Sequence, residues 1–340
     1  MKALLIGGTG RISASISKKL IADGHDLYLL NRGNRNEYLG TDNFTNILCD
    51  INDEVETLIA LGEHEFDVVA DFIAFKKEHL ERDYKLFKDR TKQFIFISSA
   101  SAYQKPLSDY LITESTPVAN PYWQYSRDKI EGEKYLMDLY RDEGFPVTIV
   151  RPSHTYDERS IPLGVHGNNG SWQVARRMLE GKPVIVQGDG TSLWTMTSSK
   201  DFAVGFVGLM GNIHAIGETY HITSDEKLTW TQIYTAIANA LGVKPNLRYV
   251  SSQMLAECSD FDFEGALLGD KAHSVVFDNS KIKRAVPEFV CTTRFDTGIK
   301  ETVDYILAHP EYQLIDEDFD AWCDKILLAV ENMKTYMMKG

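Results

Sequence analysis

Short apolar runs alternate with amphipathic stretches through the first half of the chain. Residues 3–6, 25–30, 44–48, 66–72, 93–97 and 146–150 read as strands. Residues 12–22 carry apolar side chains at helical spacing and stop at Gly24. Strands alternating with helices predict βαβ units around a parallel sheet. The fold class is α/β, a Rossmann-type doubly wound parallel sheet. The predicted strands run into polar or small residues at their C-terminal ends, such as Gly7, Asn31, Asp50, Ser98 and Arg151-Pro152. Open sheets of this class bind ligands at those ends.

Beyond Arg151-Pro152 the pattern changes. Residues 155–195 are rich in Gly, Asn and single aromatics, with a helix expected near 172–180. A helix over 201–210, a strand over 218–222 and an amphipathic helix over 229–241 follow. Residues 245–340 read as irregular, ending in a long helix from about Asp318. The 340 residues suffice for two layered units. No low-complexity linker separates them, so the second unit is expected to interleave with the first.

The first βα connection is Gly7-Gly8-Thr9-Gly10-Arg11-Ile12-Ser13. Glycines there allow a tight turn and let backbone N–H groups approach a pyrophosphate at a helix N-terminus. This predicts a dinucleotide site that includes Gly7, Thr9, Gly10, Arg11 and Ile12. Ser13 stands where a third glycine would give the closest helix–sheet packing, which a serine is expected to loosen slightly. The second strand ends in Asn31-Arg32 rather than the acidic residue that binds an NAD ribose. A guanidinium can hold a 2′-phosphate, so the cofactor is NAD(P), with NADP favoured. Asp50, beside Ile51 after the third strand, is placed for the adenine end; its alternative role is a turn cap.

Tyr125-Ser-Arg-Asp-Lys129 puts a phenol and an ammonium on one helix face. An adjacent cation favours the phenolate, and such a tyrosine can move protons near neutral pH. Ser99, in Ser98-Ser99-Ala100-Ser101-Ala102-Tyr103 after the 93–97 strand, is positioned to polarise a carbonyl. The expected catalytic set is therefore Ser99, Tyr125 and Lys129, the last two also touching the cofactor. His154, Tyr156, His166, Asn168, Asn169 and Trp172 follow the sixth strand, and Trp123 precedes the tyrosine. Imidazoles, amides and indoles suit a hydroxyl-rich ligand. Ser101, Trp123, His154, Trp172 and Trp194 are the substrate candidates, and Pro152 and His154 also face the cofactor side.

The formal net charge is −13, which argues against a polyanion partner, since nucleic-acid binding draws on clustered Lys and Arg. No apolar run reaches the ~20 residues that span a bilayer. The N-terminus enters the first strand at once, which leaves no room for a cleavable signal segment. The four cysteines (Cys49, Cys258, Cys291, Cys323) have no paired spacing and read as reduced thiols without disulfide or metal. These features point to a cytoplasmic protein.

The glycine turn, the strand-end serine, the YxxxK pair and Arg151-Pro152, in this order, resemble the extended short-chain dehydrogenase/reductases, the NAD-dependent epimerase/dehydratase family. The resemblance covers most of the chain and is firmest to about residue 155. It implies a dinucleotide-binding domain over 1–155, rejoined by parts of 196–225, and a smaller substrate domain made mainly from 156–340. It also implies that Phe72, Ile73 and Ala74, after Asp71, line the cofactor. Hydride transfer at a sugar or sugar-like hydroxyl or carbonyl is the implied activity, as oxidoreductase or epimerase.

The chain also departs from the family pattern. Trp194-Thr195 follows Gly188-Asp189-Gly190 where nucleotide-sugar enzymes carry an arginine for the substrate pyrophosphate; Arg176, Arg177 and Lys200 are substitutes for that role. Ala100-Ser101 replaces the Asp-Glu pair of the 4,6-dehydratases, which disfavours that reaction. The Asn31-Arg32-Gly33 stretch and the missing arginine are also similar to a divergent branch that includes stem-loop RNA-binding proteins. A non-catalytic dinucleotide- or RNA-binding relative is therefore the alternative function. Leu136, Leu139 and Tyr140 suit a family-type homodimer through the tyrosine helix, or packing on the chain's own sheet.

Overall fold

The structure is a computed structural model that describes residues 1–340 apart from Arg35, Asp42 and Gly340. The chain runs β1 (Lys2–Ile6), α1 (Ser13–Ala22), β2 (Asp26–Asn31), β3 (Thr45–Leu48), α2 (Glu54–Leu61), β4 (Val68–Asp71), α3 (Lys77–Phe87) and β5 (Phe94–Ile97). A short β6 (Leu111–Ile112), the helix α4 (Gln124–Glu143) and β7 (Val147–Pro152) follow. The remainder comprises β8 (His154–Tyr156), α5 (Trp172–Leu179), β9 (Val184–Gln187), β10 (Leu193–Trp194), β11 (Met196–Ser198), α6 (Ser199–Leu209) and β12 (Thr219–Ile222). The chain closes with β13 (Leu228–Thr229), α7 (Trp230–Ala240), β14 (Leu247–Val250), α8 (Ser252–Glu257), β15 (Val276–Phe277), α9 (Ser280–Ala285), α10 (Phe295–Ala308) and α11 (Glu317–Lys339).

Among the described residues, seven parallel strands form the central sheet in the order β12-β7-β5-β4-β1-β2-β3. This is the expected doubly wound topology. The order reverses between β1 and β4, and the crevice at that switch point lies outside the carboxyl ends of the strands. β1, β4 and β5 are buried along almost their whole length because helices cover both faces. Strand periodicity sorts the side chains. Ala3, Leu5, Val68, Ala70, Ile95 and Ile97 pack with α1 and α6. Leu4, Ile6, Val69, Phe94 and Phe96 pack with α3 and α4. A third core, built mostly from 156–326, joins Trp194, Trp230, Tyr234, Phe295 and Phe319. β12, from beyond residue 200, returns to the edge of the sheet beside β7.

One sequence expectation changes. The stretch over 245–340 ends in α11, the long helix expected from about Asp318, but the part before it is not irregular: it holds α8, α9 and α10 as well as a π-helical segment, Glu264–Lys271. Leu136 and Leu139 take the second of the two roles expected of them, packing in the chain's own sheet–helix core. No helix of the described residues is long and apolar enough to cross a membrane.

Helix α4 docks on the sheet through charged residues as well as apolar ones. Glu133 and Arg151 are 5 % exposed each. Arg151 Nε donates to Glu133 Oε1 at 2.8 Å, and Ser98 Oγ donates to the same oxygen. The guanidinium also lies 4.6 Å from the Tyr103 ring centroid. Removing one partner of a buried pair strands the other charge in a poorly solvated place. Glu133→Ala is therefore expected to lower stability by about 3–5 kcal/mol, read as a shift of the urea midpoint; an unchanged midpoint would contradict this account of the docking.

Candidate active site

The glycine turn is shaped by its neighbours. Gly7 has φ +77°, and a Cβ there would lie 2.7 Å from Ile73 Cγ2. At Gly8 a Cβ would lie 2.4 Å from Leu29 Cδ2. Ser13 does not loosen the packing. Its hydroxyl is buried, donates to the Gly7 carbonyl at 2.7 Å and accepts from the Gly10 N–H at 2.8 Å. The serine thus ties the turn that a third glycine would only have permitted, and it engages the Gly10 N–H. Arg159 grips the turn from the other side. Its guanidinium donates to the Thr9 carbonyl at 3.2 Å and the Gly10 carbonyl at 2.8 Å, while Nε donates to Asp157 at 2.6 Å. Sequence reading missed Arg159, although the Asp157-x-Arg159 pair beyond β8 was visible.

A cavity of about 560 Å³ lies on one side of the turn. Gly7, Thr9, Gly10, Asn31, Arg32, Asp50, Ile51 and Ile73 line it, all of them expected cofactor residues. Asn31 Oδ1 accepts from Gly33 N at 2.7 Å and shapes the end of β2. Arg32 is exposed at the rim. Asp50 Oδ1 accepts from Asn52 N at 3.0 Å, the turn-forming contact that was its alternative role. Phe72 packs instead on Phe206, at 5.5 Å between ring centroids, and Ile12 packs against the same core. Ala74 is buried and presents its carbonyl to Lys129. Asp71 holds this loop, accepting from Ala74 N at 2.9 Å and Ile73 N at 2.5 Å. A cleft of this size beside a tied glycine turn and a helix N-terminus fits the adenosine half of a dinucleotide.

A second cavity of about 430 Å³ is lined by Arg11, Ser99, Ser101, Trp123, Tyr125, Pro152, His154 and Trp194, and also by Asp270 and Lys271. It gathers eight expected residues from five separate stretches of sequence. Trp172 is the exception: it opens α5 and packs against the third core, away from both cavities. Asp270 and Lys271 were missed. Their only cue was polarity after the apolar Ala266-Leu267-Leu268. The substitutes named for phosphate binding do not reach this cavity: Arg177 is buried against Asp320 and Asp324, Arg176 pairs with Glu180, and Lys200 pairs with Glu301.

Tyr125 and Ser99 line the same cavity, and Ser99 Oγ lies 2.9 Å from Ser101 Oγ. Ser126 Oγ donates to Ser101 Oγ at 2.7 Å, so three serines brace the site. Burial pushes the Tyr125 pKa above its usual value; the Ser99 hydrogen bond pulls it down, and the Asp270 charge raises it. The expected dominance of Lys129 over this phenol is not seen. Lys129 Nζ lies 5.7 Å from the Tyr125 ring centroid and donates to the carbonyls of Ala74 and Ile97, at 2.7 Å each. Tyr103 is a structural group: its hydroxyl lies 2.9 Å from His221 Nδ1. His154 Nδ1 accepts from Trp194 Nε1 at 3.2 Å, and burial holds its imidazole neutral, well below its ordinary pKa.

Burial lowers the Lys129 pKa to about 8, with Asp71 and Glu133 opposing. Between pH ~8 and the unperturbed 10.5, the unfolded chain holds a proton that the folded chain has released. Stability contributed by this group therefore rises with pH across that window. Relative to Lys129→Met, the wild type should gain on the order of 3 kcal/mol at most from pH 8 to 10.5, at 1.36 kcal/mol per unit. Urea midpoints of both proteins across that range test it; parallel curves would refute the burial argument.

Comparison with known proteins supports the same reading of the fold. The model of the NAD dependent epimerase/dehydratase family matches residues 3–223. A chloroplast stem-loop binding protein of 41 kDa (b) from Arabidopsis thaliana is 27 % identical over 253 residues, 71 % of this chain but 63 % of the plant protein, so less than two thirds of that relative is matched. A UDP-glucose 4-epimerase from Mycolicibacterium smegmatis is 24 % identical over 270 residues, covering 71 % of this chain and 83 % of that one. The structure of UDP-glucuronic acid 4-epimerase from Bacillus cereus in complex with NAD superimposes with a TM-score of 0.71 at 18 % identity, covering 91 % of this chain and 99 % of the other. At that identity the superposition establishes the shared fold. With its matched span, its parallel sheet and its tied glycine turn, the chain belongs to the NAD dependent epimerase/dehydratase family.

Proposed function

We propose that this protein is an NAD(P)-dependent oxidoreductase or epimerase acting on a hydroxyl or carbonyl of a sugar or sugar-like substrate. The observation that carries the reading is that Ser99 and Tyr125 line the wall of one cavity beside the glycine turn, together with Arg11 of that turn. The similarity to UDP-glucose 4-epimerase supports a sugar as substrate. The nicotinamide, when bound, supplies a two-electron acceptor or donor. The chain's own groups do the rest. Tyr125 Oη gives or takes the proton at the substrate oxygen, and its raised pKa keeps the phenol protonated at neutral pH. Ser99 Oγ, braced by Ser101 and Ser126, orients that oxygen. Lys129, which donates to the Ala74 and Ile97 carbonyls, is the residue that would hold the nicotinamide ribose. Ala100 and buried Ser101 provide no acid–base pair for elimination, so 4,6-dehydration stays disfavoured.

Residues 1–155, with the returning part of 196–225, hold the dinucleotide in this scheme, and 156–340 mainly shape the substrate side. At the adenosine end we assign a preference for NADP, because Asn31 and Arg32 replace a carboxylate at the end of β2. A second reading, a binding protein without turnover, rests on the similarity to the stem-loop binding protein. The net charge of −13 weighs against an RNA partner.

Fluorescence titration with NADH and NADPH is the first test; a protein that binds neither overturns the proposal. Tyr125→Phe is expected to lower turnover by about 10²–10⁴-fold while leaving dinucleotide affinity unchanged. Retained turnover would remove Tyr125 from its role. Arg32→Gln should weaken NADPH binding by about tenfold or more, the worth of a charge-assisted hydrogen bond, with NADH unaffected. Equal losses for both would reject the 2′-phosphate assignment.

A further inference from the structure

A buried lysine lies within electrostatic reach of two residues that line the second cavity, Asp270 and Lys271. Lys105 is 3 % exposed, and its Nζ has no hydrogen-bond partner among the described residues. Burying an ammonium without an acceptor is costly. Two charges of the cavity wall act on it: Asp270 stabilises its charged form and Lys271 opposes it. Lys271 itself lies 3.4 Å from the Asp270 carboxylate, and its side chain is 13 % exposed. Its Nζ sits 5.6 Å from the ring centroid of Trp123 and 6.0 Å from that of Trp194, both cavity walls. Burial works against the Lys105 charge and Asp270 favours it, while Lys271 pairs with that same carboxylate at an aromatic-walled site. His154, on the same wall, is held neutral and adds no compensating charge.

We propose that Lys271, with Lys105 behind it, forms an anion subsite, and that the substrate is an acidic sugar carrying a carboxylate or a phosphate on the portion that enters this cavity. The assignment rests on the sugar-directed reading above. It also accounts for Trp194: an indole cannot pair with a diphosphate, and the anion is received instead by the Lys271 ammonium lying near the Trp123 and Trp194 rings. On binding, Lys271 turns from Asp270 to the ligand, and Asp270 is left to compensate Lys105. No bond is made or broken in this step.

Calorimetric titration of the NAD-loaded protein with D-glucose, D-glucuronate and D-glucose 6-phosphate tests the proposal. At least one acidic sugar is expected to bind tenfold or more tightly than glucose; which one does so separates the carboxylate from the phosphate. Lys271→Gln should abolish that preference, and Lys105→Met should reduce it, with the NAD titration of both variants unchanged. Equal affinity for glucose, no measurable binding of either acid, or a preference that survives Lys271→Gln overturns the subsite. Should Lys105→Met fail to fold, Lys271→Gln decides alone. A protein that fails to take up NAD at all instead overturns the hydride-transfer reading, so the two failures are distinguishable.

Discussion

The ion pair between Glu133 and Arg151 is the contact on which the site's geometry depends. Helix α4 is rich in charge, and its inward face carries Lys129 and Glu133 among apolar residues. Such a helix gains less from burial than an apolar one and must be paired where it meets the sheet. Arg151, at the end of β7, provides the pairing, and Ser98, just past β5, adds a hydrogen bond to the same carboxylate. Gly132, between these anchors, lets the helix approach: a Cβ there would lie 2.7 Å from Leu80 Cδ1. Once Glu133 is fixed, Lys129 stands one helical turn earlier and Tyr125 one turn before that. The phenol reaches the carboxyl edge of the sheet because the ion pair sets the axial position of the helix.

The opposite wall is set by a comparable economy of polar contacts. The glycine turn leaves backbone carbonyls pointing away from the sheet, and Arg159 satisfies two of them from the far side of β8. Asp157 keeps that guanidinium compensated, so the clamp is neutral as a pair. Ser13 closes the turn from within the first helix. The turn is thus tied both by its own helix and by a residue roughly 150 positions later in the chain. The cleft wall and the residues beyond β8 are coupled through Arg159, because moving it would free carbonyls beside the cleft.

Much of the first unit was legible in the sequence because its signals are local. Strand runs such as Phe94–Ile97, the helix stop at Gly24 and the spacing of Tyr125 and Lys129 are each read within a few residues. The candidate site was legible where strand ends carry it, which is why Ser99, Pro152 and His154 fall on one cavity. What the sequence misjudged depends on distant partners. Ser13 looked like a weakened glycine position, because its hydroxyl's partners, the Gly7 carbonyl and the Gly10 N–H, are defined only when the turn is folded. Lys129 was expected to act on Tyr125, yet the carbonyls of Ala74 and Ile97 compete for it, and no spacing rule shows a carbonyl. Trp172 was read as a cavity wall because it follows Arg151-Pro152 closely, but the hydrophobic demand of the third core claims it. The helices α8, α9 and α10 were lost because their apolar positions serve several neighbours at once and blur the period.

The division between legible and hidden parts follows the chemistry. The groups to which we assign proton transfer sit on the sheet edge and α4, whose positions are set by regular hydrogen-bonding and one ion pair. The groups to which we assign substrate choice sit on the Glu264–Lys271 segment, where a π-helical turn replaces α-helical spacing. Gly265 and Gly269 there admit the Trp123 ring and its Cβ so closely that a Cβ at Gly265 would lie 2.1 Å from Trp123 Cδ1. That contact seats the segment directly over the tryptophan two residues before Tyr125, and Asp262 accepts from the Trp123 indole at 3.0 Å to hold it. Asp270 and Lys271 are carried to the cavity by this docking rather than by any motif of their own. A relative could therefore keep α4 and the sheet edge intact and change its substrate by altering only the segment that lies on Trp123.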